Sequence, residues 1–419
     1  MDRLDNPVRP YAWGSACDIP EFLGVPADGT PQAELWMGAH PGDSSRVLRG
    51  GTSRSLLELI AADPAAELGP AVAAQYGGRL PFLLKVLSAG RPLSLQVHPD
   101  RARAAARFAD PLFADDYTDD NHKPELICAL RDGFEALCGF RPVPGTLALL
   151  DELAVPGLAA CRQLLAGRPG ADGLRAAVTD ILSGGSADPG SGAAAGTGPA
   201  AEPGAAARTG PGPVAGSLAE TIAAVGRAGQ RVAAGGGRWA TAGRAYARLA
   251  EGYPRDPGVL VALLLNHAVL DEGEALFVAA GVPHCYLHGF GAEAMAASDN
   301  VLRAGLTSKR VNVPELLEVL DFRPAPLHVL HAERDGVQET YPVPVPDFRL
   351  GRLVLGAGPV PLPGGGPQIL LSIAGTARLR APHGTQLELA RGQSAYLAAS
   401  GTGVTATGPG TLLRATVGS

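Results

Sequence analysis

Apolar positions along this chain keep two different rhythms, and the change from one to the other divides it. In "RLPFLLKVLSAGRPLSLQVHPD" (79–100), "LICALRDGFEALCGFRP" (126–142) and "DEGEALFVAAGVPHCYLHG" (271–289), short apolar or alternating runs are bounded by Gly, Pro and Asp. Such runs predict strands joined by tight turns. In "GTLALLDELAV", "LAACRQLLAG", "GLRAAVTDIL" and "SLAETIAAVGRAGQRVA", apolar residues recur every three or four positions, which predicts helices. From 322 onward the strand-and-turn texture returns, as in "HVLHAERDGVQETYPVPVPDFRLGRLVLG" and "QILLSIAGTARL", with no convincing helix.

The pattern therefore predicts a mainly β protein with an inserted helical region. A first β part spans 1–144, helices span 145–257, a second β part spans 258–321, and an all-β domain of sandwich or barrel type spans 322–419. A length of 419 residues suits such a multi-domain arrangement. Residues 184–216 are almost wholly Gly, Ala, Pro, Ser and Thr. That composition buries too little apolar surface to offset its ordering entropy, so it reads as a disordered insertion. A weak internal repeat links the β parts: "GEALFVAAG" (273–281) and "GQSAYLAAS" (392–400) share a glycine, an aromatic, a branched apolar residue and Ala-Ala in register. The first copy runs on to "VPHCY", whereas the second runs on to "GTGVT" and has no histidine.

Composition narrows the function classes. A net charge of −6 argues against nucleic acid or an anionic membrane surface as the main partner. No apolar run reaches the ~18 residues of a membrane span. The start, "MDRLDNPVRPYAWGS", has acids and prolines where a signal peptide needs an apolar run. Five scattered cysteines without CxxC spacing fit reduced thiols, so a cytoplasmic location is expected.

Three short stretches carry candidate chemistry. In "LSLQVHPD", strand alternation puts Ser94, Gln96 and His98 on one face and Leu95 and Val97 on the other. "NHKPEL" offers the Glu125 carboxylate at the start of a second apolar run, and "GVPHCYLHG" places His284, Tyr286 and His288 on one face, with Cys285 turned into packing. An amide oxygen, two imidazoles and a carboxylate from three strands make a borderline divalent site, which zinc suits with a position left open. Taken singly, each of these residues reads as ordinary strand-end polarity or a satisfied surface histidine.

The lysines bring them together. Of 35 Lys plus Arg only three are lysine, and Lys85, Lys123 and Lys309 lie beside the candidate ligands or in the run that follows His284. A lysine that persists in an arginine-using chain is expected where a compact ammonium is needed. Ammonium groups around a metal suggest an anionic substrate, most simply a phosphate, or a developing oxyanion.

With these residues in view, "YAWGS", "AELWMGAHP", "LSLQVHPD", "NHKPE", "FEALCGFRP" and "ASDNVLRAGLTSK" closely resemble the type I mannose-6-phosphate isomerases, in the family's order over 11–321. The helical region and the C-terminal domain match only loosely. The resemblance implies cupin-type jelly rolls, one catalytic and one degenerate and C-terminal, with "GEALFVAAGVPH" as the second cupin motif. It also implies one zinc per chain held by Gln96, His98, Glu125 and His284, with Arg303 as the catalytic arginine. The implied reaction interconverts mannose 6-phosphate and fructose 6-phosphate and feeds mannose into activated-sugar (GDP-mannose) synthesis. Lys123 is then expected at the mouth of the metal site, facing a small phosphorylated sugar.

The general base stays open among His122, Glu293, Asp299 and Tyr286, with Lys85, Ser94 and Lys309 as further substrate contacts. Ser308 stands where the family usually has proline after threonine, in the loop that carries Lys309. Two alternatives stand beside this reading: another metal-dependent cupin enzyme such as an iron oxygenase, which would favour a histidine-rich set, and a non-catalytic sugar-binding cupin, which would tolerate loss of Arg303 and the lysines. The sequence leaves the oligomeric state open.

Overall fold

The computed structural model describes residues 1–168, 170–184 and 217–418. The expected disordered insertion therefore lies, apart from Gly184, outside the described residues. The rest is mainly sheet with helices.

The long strand His284–Ala296 organises the first β part. Its opening half lies between Phe134–Phe140 and Leu95–Val97, and its closing half between Phe82–Ala89 and Glu125–Ala129. The change of neighbours falls at Gly289, whose φ of +128° no side chain adopts readily. A Cβ there would also lie 2.8 Å from the Phe134 Cα. Leu302–Gly305 pairs with Leu95–Val97, and Ala275–Val278 pairs with Glu125–Ala129, so the expected metal ligands come from neighbouring strands of one ten-stranded sheet.

Alternation decides what each strand shows to each side. In Phe82–Ala89 all eight residues are buried. Leu84 and Val86 pack with Phe348, Ile369 and Leu413 of the C-terminal sheet. Lys85 is thereby turned to the opposite side, where the cavity described below lies. Leu95 and Val97 likewise enter the helical core, against Leu137, Val259 and Leu302, which leaves Gln96 and His98 facing inward as the alternation predicts.

The helices run from Val143–Leu153 to Gly258–Ala262 and close over that core. Leu218–Gly235 opens on a capping box, the Ser217 hydroxyl accepting from the Glu220 N–H while the Glu220 carboxylate accepts from the Ser217 N–H.

The expected division at 322 is crossed by the sheet. Asp2–Asp5 pairs with Ser394–Leu397, and Arg46–Arg49 with Thr52–Ser55 extends the same edge, so N-terminal strands complete the nine-stranded C-terminal sheet. A four-stranded sheet covers its far face over Leu353, Leu370, Leu379, Leu389 and Leu412. The two halves of the sequence repeat have the same local form. Gly273 (φ +86°) precedes strand Ala275–Val278, and Gly392 (φ +83°) precedes strand Ser394–Leu397.

Candidate metal centre and active-site cavity

His98 and His284 are fully buried, and each has one ring nitrogen committed to the backbone. His98 Nδ1–H donates to the Asn300 carbonyl at 2.7 Å, and His284 Nδ1–H donates to the Val282 carbonyl at 3.0 Å. Those bonds fix the tautomer and leave both Nε2 lone pairs pointing inward. Glu125 lies between them, Oε1 3.3 Å from His98 Nε2 and Oε2 3.3 Å from His284 Nε2. The Gln96 amide nitrogen donates to His284 Nε2 at 3.2 Å, and a flip of the amide would bring its oxygen to the same point. His98 Nε2 and Glu125 Oε2 are buried with no hydrogen-bond partner, a costly state for polar atoms in a packed interior. The donor atoms of His98, Glu125 and His284 lie within 4.8 Å of one another, so a borderline divalent ion fits the set.

The electrostatics favour ligation. Burial pushes the His98 imidazole down to about 4, so near neutrality it is the uncharged form that binds metals. Burial works against charge on Glu125, but Lys123, His98 and His284 outweigh it and hold the carboxyl well below its usual range. Lys123 Nζ is 3.0 Å from Glu125 Oε1.

A cavity of about 580 Å³ opens over these atoms, and all three lysines line it. Lys85 Nζ lies 3.5 Å from Glu293 Oε2, 3.8 Å from Glu34 Oε2 and 5.2 Å from the Trp36 ring. Burial alone would lower the Lys85 pKa, yet the Glu34 and Glu293 carboxylates reverse this and keep it an ammonium. Burial and the nearby Glu125 push Glu293 up to about 7. Burial, with Glu293 and Glu125, raises the buried Tyr286 hydroxyl well above its usual value, and that hydroxyl has no hydrogen-bond partner. Arg303 lies opposite Gln96 on the adjacent strand. Its guanidinium forms no hydrogen bond or ion pair among the described residues, and burial lowers its pKa from the usual value.

Known proteins resemble this chain. The family model for phosphomannose isomerase type I, catalytic domain, matches residues 1–143. A mannose-6-phosphate isomerase from Escherichia coli (strain K12) is 36% identical over 428 aligned residues, spanning 99% of each chain. This chain belongs to the type I phosphomannose isomerases. The Homo sapiens mannose-6-phosphate isomerase is 34% identical over 83% of this chain and 80% of its own. A crystal structure of a variant phosphomannose isomerase from Salmonella typhimurium superposes with a TM-score of 0.84 at 34% identity, over all of both chains. A zinc-bound mannose 6-phosphate isomerase structure gives 0.82 at 33%, over 100% of this chain and 99% of that one.

Within this family framework, the expected residues divide into those that meet and those that do not. Gln96, His98, Glu125 and His284 converge, and Ser94, Lys85, Lys123, Tyr286, Glu293, Asp299, Arg303 and Lys309 line or floor the cavity. Lys123 is not at the mouth, as expected, but 7% exposed beside Glu125; the exposed rim lysine is Lys309. His122 is turned away from the cavity. Its Nε2 lies 3.0 Å from Asp347 Oδ2, and Arg101 Nη2 bonds Asp347 Oδ1 at 2.8 Å. His288 does not share a face with His284, because a register shift after Tyr286 turns it out to solvent.

Several residues escaped the sequence reading. Glu34 and Trp36 flank Lys85, and His40 Nε2 lies 3.1 Å from Asp299 Oδ2. Asn300 orients His98 through its carbonyl and clamps the 118–121 loop through its side chain. The only signal for the first three was their presence in "AELWMGAHP", quoted for resemblance alone.

Proposed function

We propose that this chain interconverts mannose 6-phosphate and fructose 6-phosphate through a cis-enediol, with one zinc held by Gln96, His98, Glu125 and His284. One juxtaposition carries the reading: of two buried ligand atoms without hydrogen-bond partners, on His98 and Glu125, the Glu125 carboxylate lines the same cavity as an arginine that has no ion pair among the described residues. The named activity of the relatives and the zinc of one structural neighbour support it.

Moving a carbonyl between C1 and C2 requires a proton to leave one carbon and return to the other while charge builds on the oxygens. Bound zinc supplies a positive centre that polarises those oxygens. Arg303 cannot serve as a base and is placed to hold the enediolate or the phosphate with its planar fork. Lys85 and Lys123 add compact positive charge on the cavity floor. Among the four candidate bases, His122 is outside the cavity, Tyr286 keeps its proton and Glu293 is engaged with Lys85. Asp299 remains: its carboxylate is in the cavity wall and is held ionised, chiefly by the hydrogen bond from His40.

The ten-stranded sheet is read as the catalytic cupin jelly roll and the C-terminal sheets as a degenerate one, supported by the matched Gly-then-strand form at 273 and 392. No helix among the described residues is long and apolar enough to cross a membrane, and five free cysteines suit a cytoplasmic enzyme.

Metal analysis of the purified protein with a coupled assay on mannose 6-phosphate tests the proposal. One zinc per chain and turnover that a chelator removes and zinc restores are expected; a zinc-loaded protein inert to mannose 6-phosphate would overturn it. Lys123→Arg sharpens the test. The ammonium sits 3.0 Å from Glu125 in a buried pocket, where a guanidinium is too broad. Zinc should stay while kcat/KM falls about tenfold, ~1.4 kcal/mol, and Arg378→Lys on the exposed C-terminal sheet should change nothing.

A further inference from the structure

The proposed reaction leaves one buried imidazole without a task. His40 is 6% exposed, and both of its ring nitrogens are engaged. The Gly42 N–H donates to Nδ1 at 3.1 Å, so Nδ1 carries no proton. The proton of the neutral ring is then on Nε2, which lies 3.1 Å from Asp299 Oδ2. The ring stands edge-on to Trp36, with centroids 4.8 Å apart, and the same indole lies 5.2 Å from the Lys85 ammonium. The turn passes close beside the ring, since a Cβ at Gly42 would lie 3.2 Å from Nδ1.

Asp299 needs such a partner. Its backbone N–H is tied to Asp119 Oδ2 at 2.7 Å, but its side chain is 53% exposed into the cavity. A carboxylate at that exposure can rotate away from any one substrate carbon. A donor from a rigid, buried ring fixes one oxygen and leaves the other facing the cavity.

We propose that His40 is a positioning residue that holds the Asp299 carboxylate in one orientation, with its free oxygen toward the substrate. The inference rests on the reading of Asp299 as the base. The sequence signal was available in "GAHPG", where a histidine two residues before a glycine can accept that glycine's N–H. The charged groups around Asp299 set the sign of the pH effect. The His40 hydrogen bond is the largest influence lowering its pKa, burial opposes it, and Lys123 and Lys85 lower it further, with Asp119 at its backbone. Loss of the His40 donor therefore raises the Asp299 pKa, and the acid limb of kcat/KM moves to higher pH.

The test compares His40→Leu with His40→Gln in the zinc-loaded enzyme, since a glutamine amide can still donate to Asp299. His40→Leu should lower kcat about tenfold or more with KM for mannose 6-phosphate and zinc content nearly unchanged, and should shift the acid limb upward. His40→Gln should keep the larger part of kcat and the wild-type acid limb. Equal losses in both variants, or an unmoved limb in His40→Leu, would overturn the proposal. Should His40→Leu fail to fold, ¹⁵N shifts of the imidazoles in the wild-type holoenzyme decide it: a neutral Nε2–H tautomer at His40 is expected, and an Nδ1–H tautomer overturns the assignment. A wild type that turns over no mannose 6-phosphate would sink the isomerase reading instead, and the tautomer measurement would still stand by itself.

Discussion

Glu125→Ala should purify without zinc and without measurable isomerase activity. The carboxylate is 1% exposed and is the element that joins the two imidazoles, 3.3 Å from each. Removing even an outer partner of a metal ligand costs about 10- to 100-fold in affinity, so loss of a ligand from the proposed set of four should exceed that range. The substitution also strands the Lys123 ammonium, which is buried and has Glu125 as its neighbour at 3.0 Å. Breaking one side of a buried ion pair costs about 3 kcal/mol or more, so the melting temperature should fall along with the metal content. Zinc titration and thermal unfolding of the same preparation check both. A folded Glu125→Ala that retains a full equivalent of zinc would show that the ligand set is wrong. Glu125→Gln keeps the shape but loses the charge that Lys123 requires, and should bind zinc weakly.

How much of this centre could be read from the chain depends on how local each signal was. Gln96 and His98 were legible because strand alternation is a local rule and their neighbours Leu95 and Val97 obey it. Lys85 was legible as one of three lysines in an arginine-using chain, and alternation accounts for its side: Leu84 and Val86 take the apolar one. The same rule failed one strand later, since the register shift between Tyr286 and His288 inserts an irregularity that alternation does not see. Pairings far apart in sequence leave no local trace. Nothing in "MDRLD" announces a partner at Ser394–Leu397, and nothing in "PVPVPDF" announces that Asp347 reaches His122. Because of that contact, the C-terminal sheets cannot be a detached module. Asp347 is fully buried and grips the residue next to Lys123, while Phe348, Ile369 and Leu413 pack behind the strand that carries Lys85. The strand-forming and helix-forming runs were legible from apolar periodicity; the dependence of one segment on another was not.

Arg303→Lys should keep its zinc and lose two to three orders of magnitude in kcat. In this structure the guanidinium is half-buried in the cavity wall and meets no carboxylate among the described residues, although Glu293, Asp299 and Glu125 line the same space. Lys85 and Lys123, by contrast, already have carboxylates at 3.0–3.8 Å. Apart from Arg91 and Lys309, which are exposed, the Arg303 charge is therefore left for an incoming anion, and a desolvated charge aimed at developing negative charge contributes about 3–4 kcal/mol to the barrier. Lysine keeps the charge but not the two-pronged geometry, so turnover should suffer more than binding. A near-normal kcat with a raised KM would instead make Arg303 a phosphate anchor only. Stability supplies an independent reading. An ionised group held partly out of water without a partner is a cost to the folded state, so Arg303→Met should match or exceed the wild-type melting temperature while abolishing turnover. A clear fall in melting temperature for Arg303→Met would mean that the side chain is retained for packing, and that the charge facing the cavity is incidental.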